Sequence, residues 1–169
     1  MEISRAGADV HALLAKGDFS FDVTAEALPP FDGGRLGEVR PLPPHRKTYP
    51  PPSALGAADG RLTLLAREEE RLAGFMVLSR RWNGLAGIDD LAVERGFRRR
   101  GVARRLLDEA ADWARAEALA GLFAETQTNN IDACRFYEAS GFVLAGFDRL
   151  FYAATAHRAE TALFWYKLF

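Results

Sequence analysis

The sequence predicts an α+β fold, a mixed and mostly antiparallel sheet flanked by helices. Three observations carry this. Residues 61–93 fall into three apolar stretches separated by turn signals. Residues 102–119 and 129–141 place apolar side chains at helical spacing, with a strand-like stretch between them. Two more apolar stretches, 142–152 and 160–169, close the chain. From residue 61 the order is β-β-β-α-β-α-β-β, and 169 residues predict a single domain.

The elements follow in order. Residues 1–60 are rich in turn formers, with a short amphipathic helix expected over Val10–Ala15 and a strand over Phe19–Val23. PLPPHRKTYPPPS (41–53) is expected to be a surface loop, because proline removes ladder donors. RLTLLAR (61–67) and LAGFMVLSRRW (72–82) read as hairpin partners around the charged turn EEER (68–71). Asn83-Gly84 is a turn signal. LAGIDDLAV (85–93) follows as a mostly apolar, central strand. In the next segment Val102, Leu106, Leu107, Ala110, Trp113 and Ala114 share one helical face, and Gly121 is the expected stop. LFAETQ (122–127) is a strand. NNIDACRFYEASG (129–141) has an amide start and a glycine stop, so it is a helix. The last two stretches read as antiparallel strands.

Composition excludes several classes. The formal net charge is -1, so no global bias draws the chain to nucleic acid or an anionic membrane. No apolar run approaches the roughly 20 residues of a membrane span. The start, MEISRAGADVHALLAKGD, lacks the pattern of a signal peptide. Cys134 is the single cysteine, which fits a reducing compartment and a soluble, cytoplasmic protein. His11, His45 and His157 are scattered without metal-ligand spacing, so no metal is expected.

RRRGVARRLL (98–107) sets five arginines around one glycine where a helix begins. A helix start is already electropositive, so acidic residues belong there. A solvated charged turn is one reading. A nucleic-acid patch is disfavoured by the acidic flanks Asp89, Asp90, Glu94, Asp108 and Glu109. A phosphate site is the third: a strand, a glycine turn and a helix start aim backbone N–H groups at one point. Gly101 permits close approach, and Ala103 leaves the first turn uncrowded. The loop matches neither the triphosphate P-loop nor the dinucleotide fingerprint.

What stands is Arg98-x-x-Gly101-x-Ala103 after the strand Ile88–Val93. It resembles the [QR]-x-x-G-x-[GA] pyrophosphate loop of the GCN5-related N-acetyltransferase (GNAT) family, which binds acetyl-CoA. Downstream, Asn130-x-x-Ala133-x-x-Phe136-Tyr137-x-x-x-Gly141-Phe142 resembles that family's second hallmark. The resemblance covers residues 60–152, with 1–60 as a variable acceptor-side part and 153–169 as a closing strand. It implies that two neighbouring parallel strands, Ile88–Val93 and Leu122–Gln127, splay apart to admit the pantetheine arm. The Leu91-Ala92-Val93 backbone would bond the pantetheine amides, and Arg98, Arg99, Arg100, Gly101, Val102 and Ala103 would hold the pyrophosphate. Arg104 and Arg105 either face water or reach the 3′-phosphate. Asn130 would cap the second helix, contact the cofactor, or do both. Tyr137 would protonate the departing thiolate; the alternative is a core aromatic. Cys134 lies on an apolar helical face, and the family transfers acetyl directly, so a covalent role is not expected.

A narrower resemblance concerns the acceptor. Trp82-Asn83, Ile88 to Val93, Glu125-Thr126-Gln127-x-Asn129-Asn130, Asp148, Tyr152 and Phe164-Trp165-Tyr166 are similar to the streptothricin acetyltransferases. These acetylate an amine of the antibiotic's β-lysine arm. The implied partner is a small cationic amine. Other acceptors, namely a polyamine, an aminoglycoside or a protein amino terminus, stay open, as does a CoA-binding module without catalysis. Asp89 and Asp90 are adjacent on a strand, so one of them faces the cleft. Asp90, then Glu125, then Asp89 are the candidates for base or amine anchor, with Asp148 and Glu160 as further anionic contacts. Each could equally be a structural carboxylate. The aromatics Phe164, Trp165, Tyr166 and Phe169 permit a homodimer through the last strands and equally well fill the core.

Overall fold

The structure, a computed structural model, describes residues 1–7, 10–50, 52 and 60–169. The chain forms two compact units. One comprises Met1–Phe21 and Thr48–Leu122, and the other Asp22–Lys47 and Phe123–Phe169.

The first unit is built on strands β1 (Glu2–Arg5), β4 (Arg61–Glu68), β5 (Arg71–Arg80) and β6 (Ala86–Val93), in the order β1-β4-β5-β6. All three pairings are antiparallel. Helix α1 (Val10–Leu14) and helix α2 (Val102–Ala116) complete it. β5 is buried from Leu72 to Ser79's neighbour Leu78, because both its faces are covered. Val102, Leu106, Leu107, Ala110 and Ala114 of α2 are buried, as their spacing predicts. A second cluster joins Val10 and Leu14 of α1 to Leu65, Leu72, Phe75 and Val77. The Asn83-Gly84 turn is present, with Gly84 at φ 79° and Arg81 N–H donating to the Leu85 carbonyl at 2.9 Å.

The second unit contains β2 (Phe21–Ala27), β3 (Val39–Lys47), β7 (Gly121–Gln127), α3 (Ile131–Ala139), β8 (Val143–Asp148) and β9 (Ala162–Leu168). β7, β9 and β8 are neighbours in that order, with β8 and β9 antiparallel as expected. β2 and β3 form a separate two-stranded ribbon. Ion pairs Glu26–Arg40 and Asp22–Arg46 span it. Trp165 is fully buried and donates its indole N–H to Thr126 Oγ1 at 2.9 Å.

Two expectations are corrected, and one strand was not foreseen. The segment expected as a Pro-rich loop supplies β3, which includes Pro41, Pro43 and Pro44. Proline adopts the extended φ, and a two-stranded ribbon leaves one edge of each strand without a partner, so missing donors are tolerated. The remaining Pro51 and Ser53 of that loop lie outside the described residues. Helix α2 ends at Ala116 rather than at Gly121, which instead opens β7. Ala118 takes the left-handed position (φ 55°), and its N–H and that of Leu119 donate to the Arg115 and Ala114 carbonyls. That double bond is a Schellman stop made without glycine. The N-terminal strand β1 has no periodic signal in the sequence; its four residues are specified by pairing Glu2–Arg5 with Leu64–Arg67.

Gly74 is where β5 meets β6 and α2 most closely. A Cβ there would lie 2.8 Å from the Ala92 carbonyl oxygen and 3.0 Å from Val102 Cγ1. Gly74→Ala should therefore lower stability by about 1–3 kcal/mol in urea unfolding. An unchanged midpoint would show that the backbone yields there at no cost.

Candidate active site

In the first unit the site begins at β6. Leu91, Ala92 and Val93 pair with Met76, Phe75 and Gly74 of β5. β6 is buried through Ile88 and half-buried from Asp90 onward, so its C-terminal half leaves the core. The β5–β6 register slips between Val77 and Leu78, which pair with Asp90 and Ile88; Asp89 is the extra, bulged residue. A bulge breaks strict alternation, so burial rather than strand parity separates the two aspartates. Asp89 is exposed and accepts from Ser79 Oγ at 2.9 Å. Asp90 is half-buried, and its pKa rises from 3.8 to about 6. Burial is the main cause; the Leu91 backbone hydrogen bond opposes it, and the Asp89 charge adds to it.

The connection from β6 to α2 is tightly braced. A 3₁₀ turn spans Arg95–Phe97, and the Glu94 carboxylate accepts from Gly96 N–H. Phe97 is buried beneath two guanidinium groups, Arg71 at 4.8 Å and Arg100 at 5.1 Å. Arg98 donates to the Val93 carbonyl at 3.1 Å and to the Ser20 carbonyl at 2.5 Å. Gly101 then adopts φ 79° as the N-cap of α2. No side chain caps this helix, no acidic residue lies in its first turn, and the first bond back is Arg105 N–H to the Gly101 carbonyl. The N–H groups of Val102, Ala103 and Arg104 thus start the helix without an intrahelical acceptor. A Cβ on Gly101 would meet nothing within 4 Å.

The five arginines divide by partner. Arg98 is bonded to carbonyls, and Arg100 to Glu68 at 2.8 Å. Arg104 pairs with Asp108 at 3.4 Å, and Arg105 donates to the Met1 carbonyl at 3.2 Å. Arg99, exposed at φ 61°, has no hydrogen-bond or ion-pair partner among the described residues.

In the second unit, Asn130 caps α3 by accepting from Ala133 N–H at 3.2 Å. Gly141, at φ 83°, ends that helix as its position predicts. Tyr137 is buried, with its ring 5.3 Å from Phe136 and 5.0 Å from Phe142. Cys134 is fully buried and bonded with Thr126 Oγ1 at 3.3 Å, and burial pushes its thiol up to about 11. A thiol that resists ionisation is a poor nucleophile.

Glu125 lies on β7. The Tyr152 hydroxyl donates to its carboxylate and accepts from Gln127 Nε2 at 2.9 Å. Burial raises the Glu125 pKa; the Tyr152 hydrogen bond opposes this, the Glu160 charge adds to it, and Lys47 opposes it. Lys47 Nζ donates to both Glu160 oxygens at 2.7 and 2.8 Å and to Asn129 Oδ1 at 3.4 Å. Asp148 does not join this group: it accepts from Leu150 N–H at 2.7 Å in its own turn. Lys47 and Gln127 were absent from the sequence candidates. Gln127 could have been found two residues from Glu125, on the same strand face. Lys47 could have been noticed as one of three lysines among 22 basic residues. Among the described residues no group of three or more His, Cys, Asp or Glu could hold a metal, and no helix is long and apolar enough to cross a membrane.

Comparison with known proteins agrees with this geometry. The family model described as "Acetyltransferase (GNAT) family" matches residues 32–142. The chain is 32% identical over 154 residues to streptothricin acetyltransferase A of Bacillus subtilis, covering 88% of this chain and 89% of that protein. It is 33% identical over 155 residues to the streptothricin acetyltransferase of Streptomyces lavendulae, covering 86% and 79%. A Bacillus anthracis structure described as a streptothricin acetyltransferase in complex with acetyl coenzyme A superposes with a TM-score of 0.87, at 31% identity over 99% of both chains. Nourseothricin acetyltransferase superposes with a TM-score of 0.83, at 28% identity over 99% of this chain and 97% of that one. The chain therefore belongs to the GNAT family and is an N-acetyltransferase of the α+β GNAT fold.

Asp90 generates a signed prediction. Its folded pKa is above its ordinary value, so the stability it contributes is present at low pH and is lost as pH rises from about 4 through about 6. Asp90→Asn removes that loss. The variant should gain up to about 3 kcal/mol on the parent between the acid and neutral ends of the range, from about two units at 1.36 kcal/mol each. Parallel pH profiles in urea unfolding would mean that Asp90 titrates like a free aspartate.

Proposed function

We propose that the chain transfers the acetyl group of acetyl-CoA to an amine of streptothricin or a similarly cationic small molecule, by direct attack in a ternary complex. The observation that carries this reading is the start of α2. Its first N–H groups have no cap, Gly101 leaves open space, and Arg99 is uncommitted. That arrangement suits a pyrophosphate and suits little else. Arg98 and Arg100 act here by fixing the loop's shape. The relatives' names and the neighbour's bound acetyl coenzyme A support the same reading. The reaction is placed in the cytoplasm, with which the one buried, unpaired cysteine agrees.

The steps assign roles to the residues. An alkyl ammonium with a pKa near ~10.4 must lose a proton before it attacks. Asp90 accepts that proton; its pKa of about 6 keeps it largely ionised at neutral pH yet close enough to serve as a base. The amine nitrogen bonds to the thioester carbon, and the carbon–sulfur bond breaks. Backbone N–H groups of Leu91 to Val93, beside the bulge at Asp89, receive the pantetheine arm and the developing oxyanion. Tyr137 gives its phenolic proton to the leaving thiolate, and the second proton that the nitrogen sheds on becoming an amide restores the phenol. Asn130 holds the start of α3, the helix that carries Tyr137.

Three experiments test this. A panel of streptothricin, spermidine, an aminoglycoside and an amino-terminal peptide is incubated with acetyl-CoA and read by mass spectrometry. Streptothricin should gain about 42 Da, one acetyl for one hydrogen, as direct N-acylation requires. In the same series Gly101→Val, strained at positive φ and crowding the cradle, should weaken acetyl-CoA binding at least about tenfold in calorimetry. Unchanged affinity would remove the phosphate cradle from this site. Separately, Tyr137→Phe should lower kcat by roughly 10²-fold or more while acetyl-CoA affinity stays within about threefold. Full turnover in that variant would leave Tyr137 as a core aromatic.

A further inference from the structure

β7 alternates cleanly. Leu122, Ala124 and Thr126 are buried, whereas Phe123, Glu125 and Gln127 are half-buried on the other face. β9 does the same, with Leu163 and Trp165 buried and Phe164 and Tyr166 half-buried. The half-buried rings of these strands join exposed Phe151 and buried Tyr152 in a strip. Phe123 lies 5.9 Å from Phe164 and 5.1 Å from Tyr166. Phe164 lies 5.5 Å from Phe151, which is 5.2 Å from Tyr152. Tyr152 connects the strip to an acid, because its hydroxyl donates to Glu125.

Charge in this cluster is unbalanced. Lys47 is bonded to both oxygens of Glu160, and His157 Nδ1 lies 3.4 Å from that same carboxylate. Glu125 has no directly bonded cation among the described residues; its one hydrogen bond comes from a neutral phenol. Two part-buried carboxylates therefore share one lysine. A further cation at Glu125 would relieve the cost of burying its charge. Aromatic faces take a methylene stem or a cation, and a carboxylate takes the ammonium head. A strip of rings ending at a carboxylate short of a cation matches an alkylammonium chain.

We infer that this face of β7 and β9 is the seat of the acceptor's alkylammonium arm, with Tyr152 and Gln127 as positioning residues that hold Glu125 for the ammonium. The inference rests on the reading of Glu125 as an acceptor-side carboxylate. The direction of the hydrogen bonds matters. Gln127 donates to the hydroxyl oxygen, so the phenol proton is left for Glu125. A carboxylate at position 127 would compete for that proton and turn the phenol away.

Steady-state kinetics with the best acceptor of the amine panel tests this. Tyr152→Phe should raise the amine KM about tenfold or more, with the acetyl-CoA KM within about twofold. Gln127→Glu should give the same split, which a merely structural loss would not. Glu125→Gln should give it as well. If Glu125→Gln raises the amine KM while Tyr152→Phe and Gln127→Glu leave it unchanged, the positioning role is overturned and the acceptor-side reading of Glu125 survives. If Glu125→Gln itself leaves the amine KM unchanged, both are overturned. Equal rises in the two KM values for Tyr152→Phe would also overturn the inference, because they would report general damage to the fold.

Discussion

The structure depends on one electrostatic imbalance, the N-terminus of α2. Most helices answer their leading N–H groups with a Ser, Thr, Asp or Asn. Here Gly101 stands in that place and arginines surround it. The helix start stays positive, which is what the proposed anion site rests on. Much of the first unit serves to hold that arrangement still. Phe97 is covered by two guanidinium groups, Arg98 ties the turn to the Val93 and Ser20 carbonyls, and the apolar face of α2 packs on the sheet. If the proposed anion binds there, a loop held this firmly loses little ordering entropy on binding.

The second unit handles charge in the opposite sense. Two of its acids lie where solvent is scarce: Glu125 beside Tyr152, and Glu160 beside Lys47. Burial makes Glu125 expensive to ionise unless a partner is supplied. Glu160 has its partner within the chain. Glu125 has a phenol. In the proposed reaction the anionic cofactor would thus meet helix dipole and arginine, and the cationic acceptor would meet desolvated carboxylate and aromatic ring. Asp90 shows the same economy on β6, where a bulge at Asp89 leaves one aspartate exposed and the next half-buried.

Elements with strong periodicity were legible from the chain. The apolar stripe of α2, the amide start and glycine stop of α3, the Asn83-Gly84 turn and the closing pair β8–β9 all lie where their residues predict. The glycine turns of the two segments that resemble the family's motifs were legible for the same reason: they are local in sequence, and Gly101 and Gly141 both take a positive φ. What escaped was non-local. β3 is a strand despite three prolines because a ribbon partner, not its own residues, makes it one. β1 is specified only by β4. The stop of α2 was misplaced because alanine can take a left-handed angle when two carbonyls reward it.

The sequence by itself determined the family, the fold class and the glycine-led, arginine-flanked start of α2, since each is written in residue type and spacing along the chain. Only the tertiary structure decided how the charges are shared. It assigned four of the five arginines to partners within the chain, showed that burial rather than strand parity separates Asp89 from Asp90, and sent Asp148 to cap its own turn. It also brought Lys47 to Glu160 across 113 residues and Tyr152 to Glu125 across 27. The physical reason is that desolvation and pairing depend on which groups folding places side by side, and separation along the chain does not encode that distance.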